Sequence, residues 1–278
     1  MPKISFSFIT LFPDLIKNYL SESLLFKAEQ KNILKFDVKN LRDFANNKHK
    51  SVDDTAYGGG DGMVLSIEPL VNCLEDIKKK IHAENLLNKS NIKIIYLSPQ
   101  GQKCNQQKIC ELAKYDHLIF ICGRYAGIDQ RFIANYVDEE LSIGDYILSG
   151  GELASLVVTE SISRQIEGVL GDQKSAEQDS FSESLEGLLE APQFTKPQIF
   201  NDLSVPEVLS GGHHQKISEW QKNVSILVTL AKRPELLEIK KNNLKCIFIL
   251  EFYKTLSEKD KKVLMIEGLD ERIRTKIS

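Results

Sequence analysis

Four glycine-bearing segments carry the residues best suited to chemistry: Tyr57-Gly58-Gly59-Gly60-Asp61-Gly62-Met63, Ser98-Pro99-Gln100-Gly101, Cys122-Gly123-Arg124-Tyr125-Ala126-Gly127-Ile128-Asp129, and Ile143-Gly144-Asp145-Tyr146-Ile147-Leu148-Ser149-Gly150-Gly151-Glu152. The second and third follow apolar runs directly. Glycine lets the backbone approach a ligand closely and adopt positive φ. In open α/β sheets, ligands bind beyond the carboxyl ends of the strands. A single loop of this kind is more often a plain turn, but three gathered at strand ends point to a cofactor pocket. The usual phosphate cradles are missing. There is no G-x-x-x-x-G-K-[ST], no fitting G-x-G-x-x-G between strand and helix, and no protein-kinase set. Backbone amides and carbonyls can instead hold an adenine by its hydrogen-bonding edge.

The elements that must position these loops alternate in type. Strands are expected at Ile4–Phe12, Leu34–Val38, Ile92–Leu97 and His117–Cys122. Helices are expected at Asp14–Ala28, Glu68–Ile81, Gln106–Ala113, Ile128–Tyr136 and Leu153–Gln165. Pro69 fits the first turn of its helix. Such alternation predicts an α/β fold with a mostly parallel sheet covered on both faces. Around Gly171 the pattern changes. The stretch 171–190 is polar apart from a few residues such as Phe181 and Leu185, and reads as a flexible linker. Beyond it, residues 191–278 read as a small helical domain, with helices over Ser218–Ala231, Pro234–Lys240, Cys246–Leu256 and Glu258–Gly268. The division is therefore 1–170, 171–190 and 191–278.

A chain of 278 residues with 42% hydrophobic and 27% charged residues can bury a real core. No apolar run spans a bilayer, and the apolar start at Ile4 lacks the features of a signal peptide. A cytoplasmic protein without a membrane partner is expected. Five scattered cysteines without a C-x-x-C pair argue against a disulfide framework and a structural zinc site. The net charge of −3 restricts any nucleic-acid site to a local patch.

At the glycine loops the sequence resembles the bacterial tRNA (guanine-N1-)-methyltransferases of the TrmD type. YGGGDGM, LSPQG, CGRYAGID, SIGDYILSGGE, DSF, GLLEAPQFTKP and VPEVLSGGHHQKI follow in that family's order, and ITLFPDL and LRDFANNKHKSVDD fit as well. The resemblance runs from about Ile4 to about Leu237. It implies a SPOUT-class fold with a deep trefoil knot, and S-adenosylmethionine held bent in the knot by Ser98–Gly101, Cys122–Asp129 and Ser142–Gly151. It also implies a homodimer with active sites between subunits. The implied product is N1-methylguanine just 3′ of the tRNA anticodon, a modification that supports the reading frame.

That reaction needs the proton on guanine N1 removed, and a carboxylate can serve as base. Charge then grows on O6, where an arginine fork can stabilise it. By resemblance Asp179 is the base and Arg164 the arginine. The resemblance places Ser98, Pro99, Gly101, Gly123, Arg124, Tyr125, Gly127, Ser142, Ile143, Gly144, Asp145, Tyr146, Ile147, Leu148, Gly150, Gly151 and Glu190 around the donor. Lys196, His213, His214 and Lys216, with Arg124, are the candidate RNA contacts. Adjacent histidines without a third spaced ligand do not make a metal site. The sequence departs from the pattern at Ala126, where the family has Glu. That leaves a need for Mg2+ open, with Asp61 as a compensating acid. Three rivals stand beside this reading: a ribose 2′-hydroxyl methyltransferase, a silent RNA-binding protein, and a small-molecule methyltransferase. The YGGG segment, the pair Asp179 and Arg164, and the helical second domain respectively weigh against them.

Overall fold

A computed structural model of the protein describes residues 2–59, 62–83, 91–171, 178–238 and 243–277. The chain divides into two compact units, Met1–Gln173 and Lys174–Ser278. The first contains strands β1 (Ile4–Thr10), β2 (Leu34–Asn40), β3 (Asp53–Thr55), β4 (Met63–Leu65), β5 (Ile92–Lys103), β6 (His117–Ile121) and β7 (Glu139–Ser142). Its helices are α1 (Pro13–Leu20), α2 (Ser23–Gln30), α3 (Ile67–Ala83), α4 (Gln106–Leu112), α5 (Gln130–Tyr136) and α6 (Glu152–Ser163).

Five strands form a wholly parallel sheet in the order β2-β1-β6-β5-β7, and β3 and β4 form a separate antiparallel hairpin. β1 and β6 are buried along their whole length, so apolar residues dominate them, with Ser5, Ser7, Thr10 and His117 as buried polar exceptions. The period of two then sorts the side chains of the central strands. Phe6, Phe8, Ile95, Leu97, Leu118 and Phe120 pack with residues of α1, α2, α4 and α6. Ile9, Ile94, Tyr96, Ile119 and Ile121 pack with residues of α3 and α5. Stacked rings Phe6, Phe36 and Phe120 join three strands on the first face. Ser7 and His117, buried between β1 and β6, satisfy each other at 2.9 Å.

Two local differences from the sequence reading have physical causes. The expected helix Asp14–Ala28 is two helices. Ser21 caps α1 by donating to the Asn18 carbonyl at 2.8 Å, and Ser23 turns the chain with φ 55°. Strand β7 was not expected, because Glu139 and Glu140 break its apolar pattern. Glu139 is tolerated because Lys93 and Lys108 each place Nζ 3.0 Å from its carboxylate. Burial pushes that carboxyl up, but the two lysines outweigh it and hold it below the usual range.

The second unit contains the hairpin β8 (Ile199–Phe200) and β9 (Leu203–Ser204), then helices α7 (His214–Lys232), α8 (Glu235–Glu238), α9 (Asn243–Thr255), α10 (Glu258–Val263) and α11 (Asp270–Ile277). Its core gathers Trp220, Val224, Leu227, Ile249, Tyr253, Leu264 and Ile273. The buried Tyr253 hydroxyl donates to the Ile266 carbonyl at 3.1 Å. The stretch read as a linker forms, over 178–190, a closed loop of this unit. Phe181 N donates to the Leu188 carbonyl at 2.8 Å, and Gly187 N to the Ser182 carbonyl at 2.9 Å. Leu189 N donates to Thr229 Oγ1 of α7 at 3.1 Å. Among the described residues, no helix is long and apolar enough to cross a membrane.

Candidate functional site

The three later glycine loops meet beyond the carboxyl ends of β6, β7 and the first part of β5. The first is forced out of the sheet by register. Leu97 and Gln102 both pair with Leu141, so Ser98–Gly101 is extruded from the β5–β7 ladder. Ser98 Oγ accepts from Gln100 N at 3.1 Å and closes the turn. The second loop leaves β6 at Cys122, with Tyr125 at φ 59° and Gly127 at φ 125°. It is pinned to the β3–β4 hairpin: Ala126 N donates to the Met63 carbonyl at 2.9 Å, and Leu65 N to the Gly127 carbonyl at 3.0 Å. The third leaves β7 at Ser142, whose Oγ accepts from Gly144 N at 3.2 Å. It returns through Gly151, whose N donates to the Gly123 carbonyl at 3.0 Å.

Together the loops enclose a cavity of about 270 Å³. Its wall includes Ser98, Pro99 and Gln100 from the first loop and Gly123 to Gly127 from the second. The third contributes Ser142, Ile143, Gly144, Tyr146, Ile147, Leu148, Ser149, Gly150 and Gly151. Close approach favours glycine at several of these positions, Gly123 and Gly151 among them. A Cβ on Gly123 would lie 2.8 Å from the Tyr96 ring, and one on Gly151 would lie 2.9 Å from the Cys122 Cα. Tyr146, Ile147 and Leu148 stay exposed, Ile147 at 81%, although apolar. Exposed apolar side chains over a backbone-lined cavity suit a flat, partly apolar ligand. Beside it, burial pushes the Cys122 thiol up to about 12, so it stays protonated and is no nucleophile.

Most of the residues expected around a donor therefore share one cavity. Gly101, Asp145 and Glu190 do not line it. Gly101 lies behind the first loop, against the backbone of Glu140 and Leu141. Asp145 is exposed and pairs with Lys103 at 3.1 Å. Glu190 is exposed in the second unit, where its N donates to Ser180 Oγ at 3.0 Å. Tyr96, Leu97, Leu141 and Ala154 also line the cavity. They were missed because each reads in the sequence as an ordinary buried strand or helix residue. Glu152 was quoted only as the end of a motif, yet it is buried at the cavity's edge and binds Arg124.

The remaining candidates are not among the residues that line the cavity. Arg164 is the half-buried C-cap of α6, and its N donates to the Glu160 carbonyl at 3.1 Å. Asp179 is half-buried in the second unit, at the mouth of the closed loop, and its carbonyl accepts from Ser182 N at 3.1 Å. Lys196, His213, His214 and Lys216 are all exposed in that unit, the last three around the start of α7. Asp61 lies outside the described residues. Among the described residues, no group of three or more His, Cys, Asp or Glu is placed to hold a metal ion.

Comparison with known proteins gives one consistent result. Residues 4–239 match the family model described as tRNA (Guanine-1)-methyltransferase TrmD. A tRNA (guanine-N(1)-)-methyltransferase of Halalkalibacterium halodurans is 46% identical over 234 residues, covering 84% of this chain and 91% of that protein. One from Shewanella woodyi is 47% identical over 230 residues, covering 83% and 89%. One from Desulforamulus reducens is 43% identical over 258 residues, covering 92% of each.

Proposed function

The chain belongs to the tRNA (guanine-1)-methyltransferase family of the TrmD type, and on that footing we propose that it transfers a methyl group from S-adenosylmethionine to N1 of the guanine immediately 3′ of the anticodon. The observation that carries the donor assignment is the cavity at the strand ends, walled by three glycine loops and by Tyr146, Ile147 and Leu148. Its backbone amides and carbonyls suit the edge of an adenine, and its exposed apolar side chains suit the faces of the base and ribose. S-adenosylmethionine, when bound, supplies a methyl group already activated on a sulfonium, so the protein need not polarise it.

The chain's own work lies on the acceptor. Guanine N1 is protonated at neutral pH, and the Asp179 carboxylate takes that proton and holds it. The N–H groups of Arg164 donate to O6 as negative charge develops there. Lys196, His213, His214 and Lys216, exposed in the second unit, contact phosphates by the same reading. The deep trefoil knot belongs to this assignment and rests on family membership, as does a place in the cytoplasm. No magnesium site is assigned.

A homodimer completes the reading. Support comes from apolar side chains left exposed on α1 and α6, namely Leu15, Tyr19, Leu153 and Val157, with Phe12 beside them. Leu153 is 54% and Val157 52% exposed, high for residues of that type on one helix. Val157→Asp should convert the protein from dimer to monomer in light scattering. A wild-type protein that runs as a monomer at micromolar concentration would remove this part of the proposal.

The test of the activity uses labelled S-adenosylmethionine and two unmodified tRNAs, one with guanine and one with adenine after the anticodon. Transfer to the first alone is expected. Equal transfer to both, or none to either, would overturn the assignment. Slopes of RNA affinity against salt would separate an RNA substrate from a small-molecule one.

A further inference from the structure

The Glu152 carboxylate is only 1% exposed, yet nothing in the proposed chemistry uses it. It sits in the first turn of α6, where a helix favours negative charge. Its Oε1 accepts from Thr10 Oγ1 at 2.8 Å, at the end of β1. Arg124 Nε lies 3.2 Å from Oε1 and 3.0 Å from Oε2. The same guanidinium donates through Nη1 to the Ser149 carbonyl at 3.3 Å, and its Cζ sits 4.2 Å from the centre of the Phe12 ring. Thr10 is itself held, because its Oγ1 accepts from Phe12 N at 2.9 Å. The backbone of Arg124 forms an antiparallel bridge with Gly150. The ion pair lies so close to Gly150 that a Cβ there would come 2.5 Å from Glu152 Oε2.

Arg124 thus staples the second cavity loop to the third, and Glu152 fixes the staple to the end of β1 and the start of α6. We propose that Glu152, acting through Arg124 and supported by Thr10, is a positioning residue that holds the two loops in the shape that binds the methyl donor. A buried carboxylate is tolerated only with its cation and hydrogen bonds in place. The pair therefore has one arrangement, and the loops that carry it have one separation. In this arrangement Arg124 is committed to the protein rather than to an RNA phosphate. The inference rests on the reading of the cavity as the donor site.

Glu152→Gln keeps the size and one acceptor but removes the charge. Its Kd for S-adenosylmethionine, measured by calorimetry, should rise by about tenfold or more, the scale of a lost charge-assisted hydrogen bond. Its kcat at saturating donor should stay within about threefold of wild type, and its melting temperature should hold, because the side chain remains paired. The second readout is a cycle with Arg124→Met. If Glu152 acts through Arg124, adding Glu152→Gln to Arg124→Met changes donor Kd by less than about twofold. Thr10→Val serves should the first variant not fold, with a donor Kd raised by about threefold or more. An unchanged Kd in Glu152→Gln, or in Thr10→Val, overturns the proposal, and so do fully additive effects in the cycle. A wild-type protein that does not bind S-adenosylmethionine overturns the donor reading itself, which is a different result from equal binding by wild type and variant.

Discussion

Asp179→Ala should lower single-turnover methyl transfer to tRNA by about a hundred- to ten-thousand-fold, the usual contribution of a positioned acid or base. Donor affinity should stay within about twofold, because Asp179 is not among the residues that wall the cavity. The separation of the two readouts is the point of the experiment. A variant that merely unfolded the second unit would also lose RNA binding, whereas loss of the base leaves it. Asp179→Asn sharpens the test, since it preserves shape and hydrogen bonding but cannot take a proton at neutral pH. It should be as slow as the alanine variant. Either variant turning over like wild type would remove Asp179 from the mechanism. The closed loop Phe181–Leu188 lies immediately after the acid, so its backbone is braced from one side by hydrogen bonds within the unit.

How much of this was legible in the sequence differs by level. The parallel sheet was readable because β1, β6 and the stretch Ile94–Leu97 of β5 are buried and rich in apolar residues. Strand β7 was not, because its acid Glu139 is neutralised by Lys93 and Lys108, which are distant in sequence. The glycine loops announced a pocket, and their order announced the family that the comparisons show. The place of Tyr96 in the cavity wall was invisible. Tyr96 looks like any strand residue until Gly123 is seen to lie against its ring. The same holds for Glu152, since a carboxylate at the start of a helix ordinarily reads as a solvated N-terminal acid. Its burial depends on Thr10 and Arg124, 142 and 28 residues away. Loop composition is local and can be read; the partner of a buried charge is not local and cannot.

Glycines separate these two kinds of information most cleanly, and Gly101 gives the second large effect. Its backbone does not need positive φ, so the reason for glycine is contact alone. An added Cβ would lie 2.6 Å from the Glu140 carbonyl oxygen and closer still to Glu140 C and Leu141 N. All three are backbone atoms of β7, where the strand is hydrogen-bonded to β5 on both sides of the extruded loop. Neither partner can swing away as a flexible side chain would. Gly101→Ala must therefore shift Ser98–Gly101 or part the two strands. Overpacking of this kind costs about 1–3 kcal/mol, equivalent to about 5- to 150-fold in donor Kd if the strain is released in the loop. If it is released in the strands, the melting temperature falls instead. Gly171→Ala is the matched control, because among the described residues nothing lies within 4 Å of its added Cβ and its φ is not in the left-handed region. It should leave both quantities unchanged. Gly101→Ala with wild-type donor Kd and wild-type melting temperature would show that the β5–β7 contact is looser than this packing allows and that register does not by itself shape the first loop.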